Sequence, residues 1–102
     1  MLELRPNCES CDKDLPASSR DAKICSYECT FCADCVENVL FDVCPNCGGG
    51  FSSRPIRPLV SRRAGVGLEY HPASVKRIHT KYSSEEIKEF SEKIKDIPLE
   101  LR

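Results

Sequence analysis

The residues best suited to chemistry in this chain are its eight cysteines, all of which lie between positions 8 and 47. They form four pairs with two or three residues between the partners, namely Cys8 with Cys11, Cys25 with Cys29, Cys32 with Cys35 and Cys44 with Cys47. Two intervening residues make a tight turn, or knuckle, from which both sulfurs can reach one ion. Zinc prefers four tetrahedral ligands and accepts thiolates readily. Eight thiols therefore predict two complete four-thiolate zinc sites, which would be structural because neither keeps a position open for water.

Other uses of cysteine fit this chain less well. Disulfides need an oxidising compartment, and the N-terminus lacks the positive patch and apolar run of a signal peptide, so we expect a cytoplasmic protein with reduced thiols. A redox C-x-x-C pair is expected inside a βαβ pattern, which surrounds none of these pairs. Four thiolates also suit iron, so an iron–sulfur cluster remains the alternative to zinc. No apolar run reaches the length of about 18 residues that a membrane-spanning segment needs.

The cysteines can be shared between two ions in two ways that spacing alone does not separate. Sequential sharing puts Cys8, Cys11, Cys25 and Cys29 at one site and Cys32, Cys35, Cys44 and Cys47 at the other. Interleaved sharing puts Cys8, Cys11, Cys32 and Cys35 at site one and Cys25, Cys29, Cys44 and Cys47 at site two. In the interleaved arrangement each ion ties together distant parts of the chain, which would hold a module with little core more firmly.

Charge divides the chain into three zones, although its net charge is only −1. Residues 1–50 hold 4 Lys/Arg against 9 Asp/Glu, residues 51–82 hold 7 against 1, and residues 83–102 hold 4 against 6. We expect a zinc module over residues 1–50, a basic and mostly irregular connector over residues 51–82, an amphipathic helix over residues 83–98 and a tail over residues 99–102. The predicted fold class is a small metal-stabilised α+β protein, because the cysteine-bearing segment is too short to bury a sufficient hydrophobic core.

Short elements are expected to position the cysteines inside the zinc module. A strand over residues 22–26 would deliver Cys25, and a helix over residues 33–41 would follow the third pair. The large apolar side chains Phe31, Leu40 and Phe41 are predicted to form a small core, with Asp12 and Asp14 in solvent.

The connector is rich in arginine and proline. Pro55 and Pro58 block a regular helix and favour extended backbone, along which four arginines lie, Arg54, Arg57, Arg62 and Arg63. An extended segment of this kind can lie on acidic residues of the zinc module or contact phosphates, and we favour the first. Only Phe51 and Tyr70 are interleaved with the arginines, which gives base stacking little support. We expect His71 and His79 to be loop residues rather than ligands.

The clearest helix signal is the segment SSEEIKEFSEKIKDIP. Ser83 and Glu86 have capping-box spacing, and Pro98 ends the pattern. The apolar residues Ile87, Phe90, Ile94 and Ile97 fall on one narrow face. We call them the apolar stripe. By default this stripe packs on its own protein, but self-association or docking in a partner's groove is the alternative because the zinc module offers little surface. The acidic opposite face argues against membrane binding.

The order of the cysteine spacings resembles the RING-finger cross-brace, and CPNC at residues 44–47 is similar to the last knuckle of that family, including Pro45. This resemblance implies the interleaved arrangement. It also shows departures, because the second pair usually contains a histidine where Cys29 stands. RING ubiquitin ligases usually have an apolar residue where Ser10 stands and often a basic one where Gly48 stands. The resemblance therefore implies a metal-binding topology and not ligase activity.

A more specific resemblance covers the chain from Met1 to about Pro58. The blocks MLELRPNCESCDKDLP, ICSYECTFCADC, CPNCGG and RPIRP are similar, in that order, to a family of short bacterial proteins, domain-of-unknown-function family 1272. This resemblance implies a zinc-bearing cytoplasmic protein and carries no activity with it.

Three classes of function follow from these patterns. We expect a zinc-stabilised interaction or adaptor module that binds a protein partner. The alternative is a nucleic-acid-binding regulator that uses the basic connector, and the third class is a RING-type ligase. No set of residues resembles a catalytic constellation, so we do not expect an enzyme.

Overall fold

A computed structural model describes all 102 residues. Its elements are the strands β1 (Ala22–Ile24), β2 (Thr30–Cys32) and β3 (Ser52–Ser53), the helices α1 (Ala33–Asn38) and α2 (Ser84–Ile94), and a 3₁₀ turn at Leu99–Leu101. The strands form one antiparallel sheet in the order β2–β1–β3. The expected small α+β class is confirmed. No helix combines the length and the apolar character that crossing a membrane requires.

The core is small and contains most of the cysteines. Phe31, Leu15 and Leu40 are fully buried among them. Phe31 meets Phe51 edge to face, with ring centroids 5.5 Å apart. The prediction that Phe41 belongs to this core is wrong, because its side chain is 46% exposed.

Helix α1 is shorter than predicted, and this explains the outward position of Phe41. The N–H groups of Val39 and Leu40 both donate to the carbonyl of Cys35, which closes the helix at Asn38 instead of residue 41. Phe41 and Asp42 then adopt positive φ angles of 50° and 59°. The chain therefore reverses at this point, so that Leu40 points inward and Phe41 points out.

The sheet extends beyond the zinc module as we drew it. Strand β3 lies in the predicted connector, where Ser53 is paired with Lys23 of β1. The rest of the connector is irregular but closely bound to the N-terminal segment. Residues 74–80, which we call the strap, run alongside residues 4–9 in the same direction.

Side chains and backbone share in holding the strap. The N–H of Ser74 donates to the carbonyl of Leu4, and that of Thr80 donates to the carbonyl of Glu9. Between these points, the buried side-chain amide of Asn7 bonds the N–H and the carbonyl of Ile78, at 3.1 and 2.8 Å. The side chain of Asn7 thus supplies the pairing that a strand backbone would.

Helix α2 begins as predicted and ends earlier. Ser83 and Glu86 form the capping box in both directions. The helix ends at Ile94, with Lys95 as its C-cap, instead of at residue 98. After it, the 3₁₀ turn folds back onto the zinc module, and a methyl group added at Gly50 would lie only 2.6 Å from Leu99 Cδ2.

Candidate metal centre

Four sulfurs form the first cluster, those of Cys8, Cys11, Cys32 and Cys35, and all lie within 4.8 Å of one another. Cys11 is exposed and the other three are buried. The sulfurs of Cys11 and Cys32 are 3.8 Å apart. A tetrahedron with metal–sulfur bonds of about 2.3 Å has edges of about 3.8 Å, so this spacing fits a zinc thiolate site.

The second cluster holds three sulfurs within 4.8 Å of one another, those of Cys25, Cys44 and Cys47. Cys29, which we expected to complete this set, lies just outside it. The side-chain amide of Asn46, which stands between Cys44 and Cys47, nonetheless donates to the sulfur of Cys29 at 3.3 Å. All eight cysteines are free thiols, and neither histidine belongs to either cluster.

The hairpin of β1 and β2 explains why neighbouring cysteine pairs separate. Only Thr30 and Phe31 stand between Cys29 and Cys32, but both are in β2, where each residue advances the chain by about 3.3 Å. Cys32 is therefore opposite Ala22 at the start of β1, whereas Cys25 follows the end of β1 and its N–H donates to the carbonyl of Cys29. The two pairs lie at opposite ends of the hairpin, and the sulfurs group in the interleaved order.

The outer pairs sit in two knuckles with the same backbone geometry, the first knuckle (residues 8–13) and the last knuckle (residues 44–49). In both, the N–H of the first cysteine donates to the carbonyl five residues later, at 2.8 Å. Its carbonyl accepts from the N–H four residues later, at 2.9 Å in the first and 2.7 Å in the last. The residue after the second cysteine has a positive φ in each case, 66° at Asp12 and 81° at Gly48.

Backbone N–H groups point at three of the sulfurs. Those of Cys11, Tyr27 and Gly49 donate to the Sγ atoms of Cys8, Cys25 and Cys47, at 3.5, 3.3 and 3.4 Å. Donors directed at a sulfur favour its anionic form. Cysteine binds a metal as a thiolate, so such donors would stabilise a bound ligand.

The thiols of the second cluster divide unequally between charged and neutral forms. Hydrogen bonds from Cys44 and Asn46, working against burial, lower the pKa of Cys29 to about 5. The hydrogen bond to the sulfur of Cys29 raises the pKa of Cys44. Burial raises the pKa of Cys25 to about 11. A bound dication would take the place of the protons on the neutral thiols.

The first cluster divides in the same way. Burial raises the pKa values of Cys32 and Cys35. At Cys11 burial also acts upward, but hydrogen bonds from the Lys13 backbone and from Cys8 outweigh it and lower its pKa.

The first knuckle is covered by the strap through polar contacts. Arg77 donates to the carbonyl of Asp12 at 2.7 Å and to the carboxylates of Asp12 and Asp14, each at 2.8 Å. The aspartates are exposed, as expected, but they are ion-paired rather than simply solvated. Arg77 was missed from the sequence because nothing distinguishes it from the other basic residues of the connector.

The last knuckle is covered mainly by apolar side chains of α2. A methyl group added at Gly48 would lie 3.6 Å from Ile94 Cδ1 and 3.7 Å from Phe90 Cζ. The guanidinium of Arg102 donates to the carbonyls of Asp42 and Gly48, at 2.7 and 3.4 Å. No sequence signal pointed to Arg102, which we placed in an unspecified tail.

The apolar stripe faces its own protein to a large extent. Ile87 is only 4% exposed and belongs to the core, so in this structure it packs on its own protein. Phe90 and Ile94 are half-buried, and Ile97 is 38% exposed. The structure thus follows the default expectation at the start of the helix, where the first turn faces the zinc module.

The four arginines predicted to lie on acidic residues do not do so, and the connector makes that contact through Arg77 instead. Arg54 is buried and donates to the carbonyls of Arg5, Leu15 and Pro16. Arg57 donates to the carbonyls of Leu2 and His71. Guanidinium groups bind carbonyl oxygens here because irregular chain leaves several of these oxygens short of backbone partners; of the five, only the carbonyl of Pro16 also accepts a backbone N–H, that of Ser19. Arg62 and Arg63 remain exposed.

A buried ion pair next to the clusters also escaped the sequence analysis. Glu9, inside the first knuckle, is 2% exposed and pairs with Arg5 at 2.8 Å. The same carboxylate accepts from the N–H of Thr30 at 2.6 Å. The pair holds the N-terminal segment to β2, and the charge of Arg5 contributes to lowering the pKa of Cys29.

Comparisons with known proteins place this chain in a family. The model of the family described as "Protein of unknown function (DUF1272)" matches residues 1–57, which contain all eight cysteines. An uncharacterised protein of Rhizobium meliloti (strain 1021) is 54% identical over 78 residues, covering 76% of this chain and 86% of that protein. No solved structure matches the chain. The chain belongs to the DUF1272 family, as the blocks around its cysteines had indicated.

Proposed function

We propose that this protein is a structural zinc module whose function is to present a rigid surface to a protein partner. Two zinc ions would be held in a RING-like cross-brace, one by Cys8, Cys11, Cys32 and Cys35 and the other by Cys25, Cys29, Cys44 and Cys47. The observation that carries the proposal is the grouping of the sulfurs into two clusters drawn from alternating pairs. A zinc ion bound at such a site supplies cross-linking free energy that the small core lacks.

A structural role is supported by the first cluster, in which four sulfurs lie together, and Cys29 would complete the same set at the second. An all-sulfur set of four leaves no position for a substrate or a reactive water. The two outer knuckles are also covered, the first by the strap and the last by α2. We propose that the protein is not an enzyme, and that it works in the reducing cytoplasm, where thiols stay available to metal.

The ligase alternative has less support. A RING ligase often uses a basic residue directly after its last cysteine to grip the loaded enzyme. That position is Gly48 in this chain, and it is buried, packed against Phe90 and bonded to Arg102. A partner enzyme would have to displace α2 to reach it.

The nucleic-acid alternative is weakened because two of the predicted arginines bind their own chain. Arg54 and Arg57 are engaged with carbonyl oxygens, so only Arg62 and Arg63 of the predicted set are free to meet phosphates. A duplex-binding surface commonly makes several phosphate contacts and binds with a steep salt dependence. Retention on a nucleic-acid column that weakens steeply between 50 and 200 mM salt would favour this alternative.

Metal analysis tests the proposal directly. Protein purified without added metal should contain two zinc ions per chain, and cobalt substitution should give the visible absorption of tetrahedral thiolate sites. Removal of metal with a chelator should abolish the circular dichroism of the folded N-terminal half, because that half lacks a sufficient core. The proposal fails if the protein holds no transition metal, if it carries the brown chromophore of an iron–sulfur cluster, or if its fold survives chelation.

A further inference from the structure

The arginines of this protein fall into two groups. Five of the eight bind their own chain through side-chain hydrogen bonds, namely Arg5, Arg54, Arg57, Arg77 and Arg102. The other three are exposed, and their guanidinium groups make no hydrogen bond or ion pair, namely Arg20, Arg62 and Arg63. These three positive charges are therefore uncompensated within the molecule.

All three free arginines lie on two loops that together form a groove. The loops span residues 16–20 and residues 56–68, and we call the space between them the two-loop groove. It has a volume of about 370 Å³, and its lining is apolar except for Ser18 and Arg57, the apolar residues being Ala17, Ile56, Pro58, Leu59 and Leu68. The three free arginines are on the same loops but outside this lining. Ile56 is 44% exposed and Leu59 is 74% exposed. Large aliphatic side chains thus face solvent between loops whose charged residues are all arginines. One acidic residue directly follows each loop, Asp21, which is paired with Lys13, and Glu69.

The longer loop is held in place without a partner. The N–H of Leu68 donates to the carbonyl of Pro58 at 2.9 Å and closes the loop. Arg57 joins its two ends by donating to the carbonyl of His71 at 2.6 Å. Gly67 has a φ of 114°, and a methyl group there would lie 3.1 Å from the carbonyl oxygen of Pro58, so this close approach requires glycine. A loop ordered in advance loses less entropy when it binds.

We propose that the two-loop groove docks an extended segment of a partner protein in which acidic residues flank an aliphatic side chain. The aliphatic side chain would enter the groove between Ile56, Leu59 and Leu68. Carboxylates on either side would meet the guanidinium groups of Arg20, Arg62 and Arg63, whose forked donors suit carboxylates. This inference rests on the proposed interaction function and names its surface and the chemistry of the partner.

Charge and shape favour this occupant over the others. The only acidic residue between positions 51 and 82 is Glu69, so an acidic segment meets little repulsion there. A nucleic acid would satisfy the arginines but would leave the aliphatic floor without a partner, and no aromatic side chain lines the groove for base stacking. A lipid surface is flat and would not fill a recess. A second copy of this chain is tested below.

A peptide selection tests the inference without assuming a sequence. A random twelve-residue library displayed on phage is selected against the metal-loaded protein, and enriched peptides are measured by fluorescence anisotropy. We expect them to combine two or more Asp/Glu residues with a Leu, Ile or Val. Binding should weaken at least tenfold in the R62E/R63E variant and in the Leu59→Ser variant, and more in low salt than in high salt.

The matched control is K76E/K88E, which reverses two exposed charges outside the groove and should leave binding unchanged to within twofold. Zinc content and melting temperature confirm that each variant is folded. Because they establish the metal site separately, failure of the groove is distinguishable from failure of the zinc module.

Several results would overturn the inference. One is a selection that enriches no peptide, or only peptides without acidic residues. Another is binding that R62E/R63E leaves unchanged. A third is a stronger loss, in the same variant, of binding to a 20-nucleotide single-stranded DNA or to phosphatidylserine vesicles. The last is sedimentation showing that the wild-type protein self-associates through these arginines, which would assign the groove to a second copy.

Discussion

The two outer knuckles of this protein have the same backbone but different covers. Residues 8–13 and residues 44–49 share two hydrogen bonds, a left-handed residue at the same position, and an arginine from the C-terminal half on the carbonyl of that residue. Over the first knuckle lies an extended strap with charged contacts. Over the last lies a helix with apolar contacts.

The backbone that the two knuckles share is local to each of them, whereas their covers are added by the rest of the fold. The shared bonds involve only atoms within each knuckle, so they follow from the local spacing of cysteines. The covers come from segments more than 40 residues away and contact the residue after the second cysteine by different means. We expect the apolar cover to contribute more to stability, because exposed ion pairs are weak in water.

Removing a ligand from each knuckle should give the largest effect. Cys8 is fully buried, whereas Cys47 is exposed. A structural zinc site contributes on the order of 10–16 kcal/mol in finger peptides, which exceeds the stability of most small domains. Cys8→Ser should therefore halve the zinc content and abolish cooperative melting. Cys47→Ser should retain a weakly bound second ion, because water can reach the vacated position.

Zinc content per chain and thermal melting by circular dichroism report both outcomes. Equal melting of the two variants and the wild type would show that the ions are not what shapes the N-terminal half.

Acidity should weaken metal binding at the second cluster over a wide range. Neighbouring hydrogen bonds lower the pKa of Cys29 to about 5, whereas burial raises the pKa of Cys25 to about 11. Bound thiolates carry no proton, so zinc must displace the protons of the neutral thiols. Affinity should therefore rise with pH between these limits, with protons released on binding.

Calorimetric titration of metal-free Cys11→Ser protein with zinc, in two buffers of different ionisation enthalpy, isolates the second cluster. A heat that is independent of the buffer would contradict this expectation.

Truncating the apolar cover should cost more than truncating the polar one. Ile87 is 4% exposed, and replacing a buried isoleucine by alanine typically costs about 2–5 kcal/mol. Arg77→Ala removes contacts that are exposed and screened by salt, so the midpoint of urea unfolding should shift much less and the shift should shrink in high salt. Urea unfolding of both variants with zinc bound makes the comparison. A larger shift for Arg77→Ala would reverse the ranking of the covers.

The smallest effect tests the left-handed residue itself. Gly48 has a φ of 81° and room for a methyl group, so Gly48→Ala should cost only the backbone penalty of about 1–2 kcal/mol. Gly49, one position later, has an ordinary φ and serves as the matched control. Its replacement by alanine should leave the free energy of unfolding nearly unchanged. Equal effects at the two positions would mean that backbone strain does not explain the glycine.

Much of the site could be read from the sequence because its signals are local. The cysteine spacing, the strand before Cys25 and the capping box at Ser83 each depend on a few neighbouring residues, and each has its counterpart in the structure. Phe41 was misplaced because α1 ends at Asn38, and the point at which a short helix ends decides on which side the next residues lie. Arg77 and Ile87 were misjudged because their partners are distant in sequence.

By itself, the sequence determined that this chain carries paired cysteines with the spacing of metal ligands, a family relationship and a capped terminal helix, since spacing and short-range hydrogen bonding are properties of adjacent residues. Only the tertiary structure decided which cysteines cluster, which arginines donate to carbonyl oxygens, and which three remain free on the loops of the two-loop groove. Those outcomes depend on a hairpin that separates neighbouring cysteine pairs and on C-terminal segments that pack against the N-terminal half. No local pattern encodes where such segments pack.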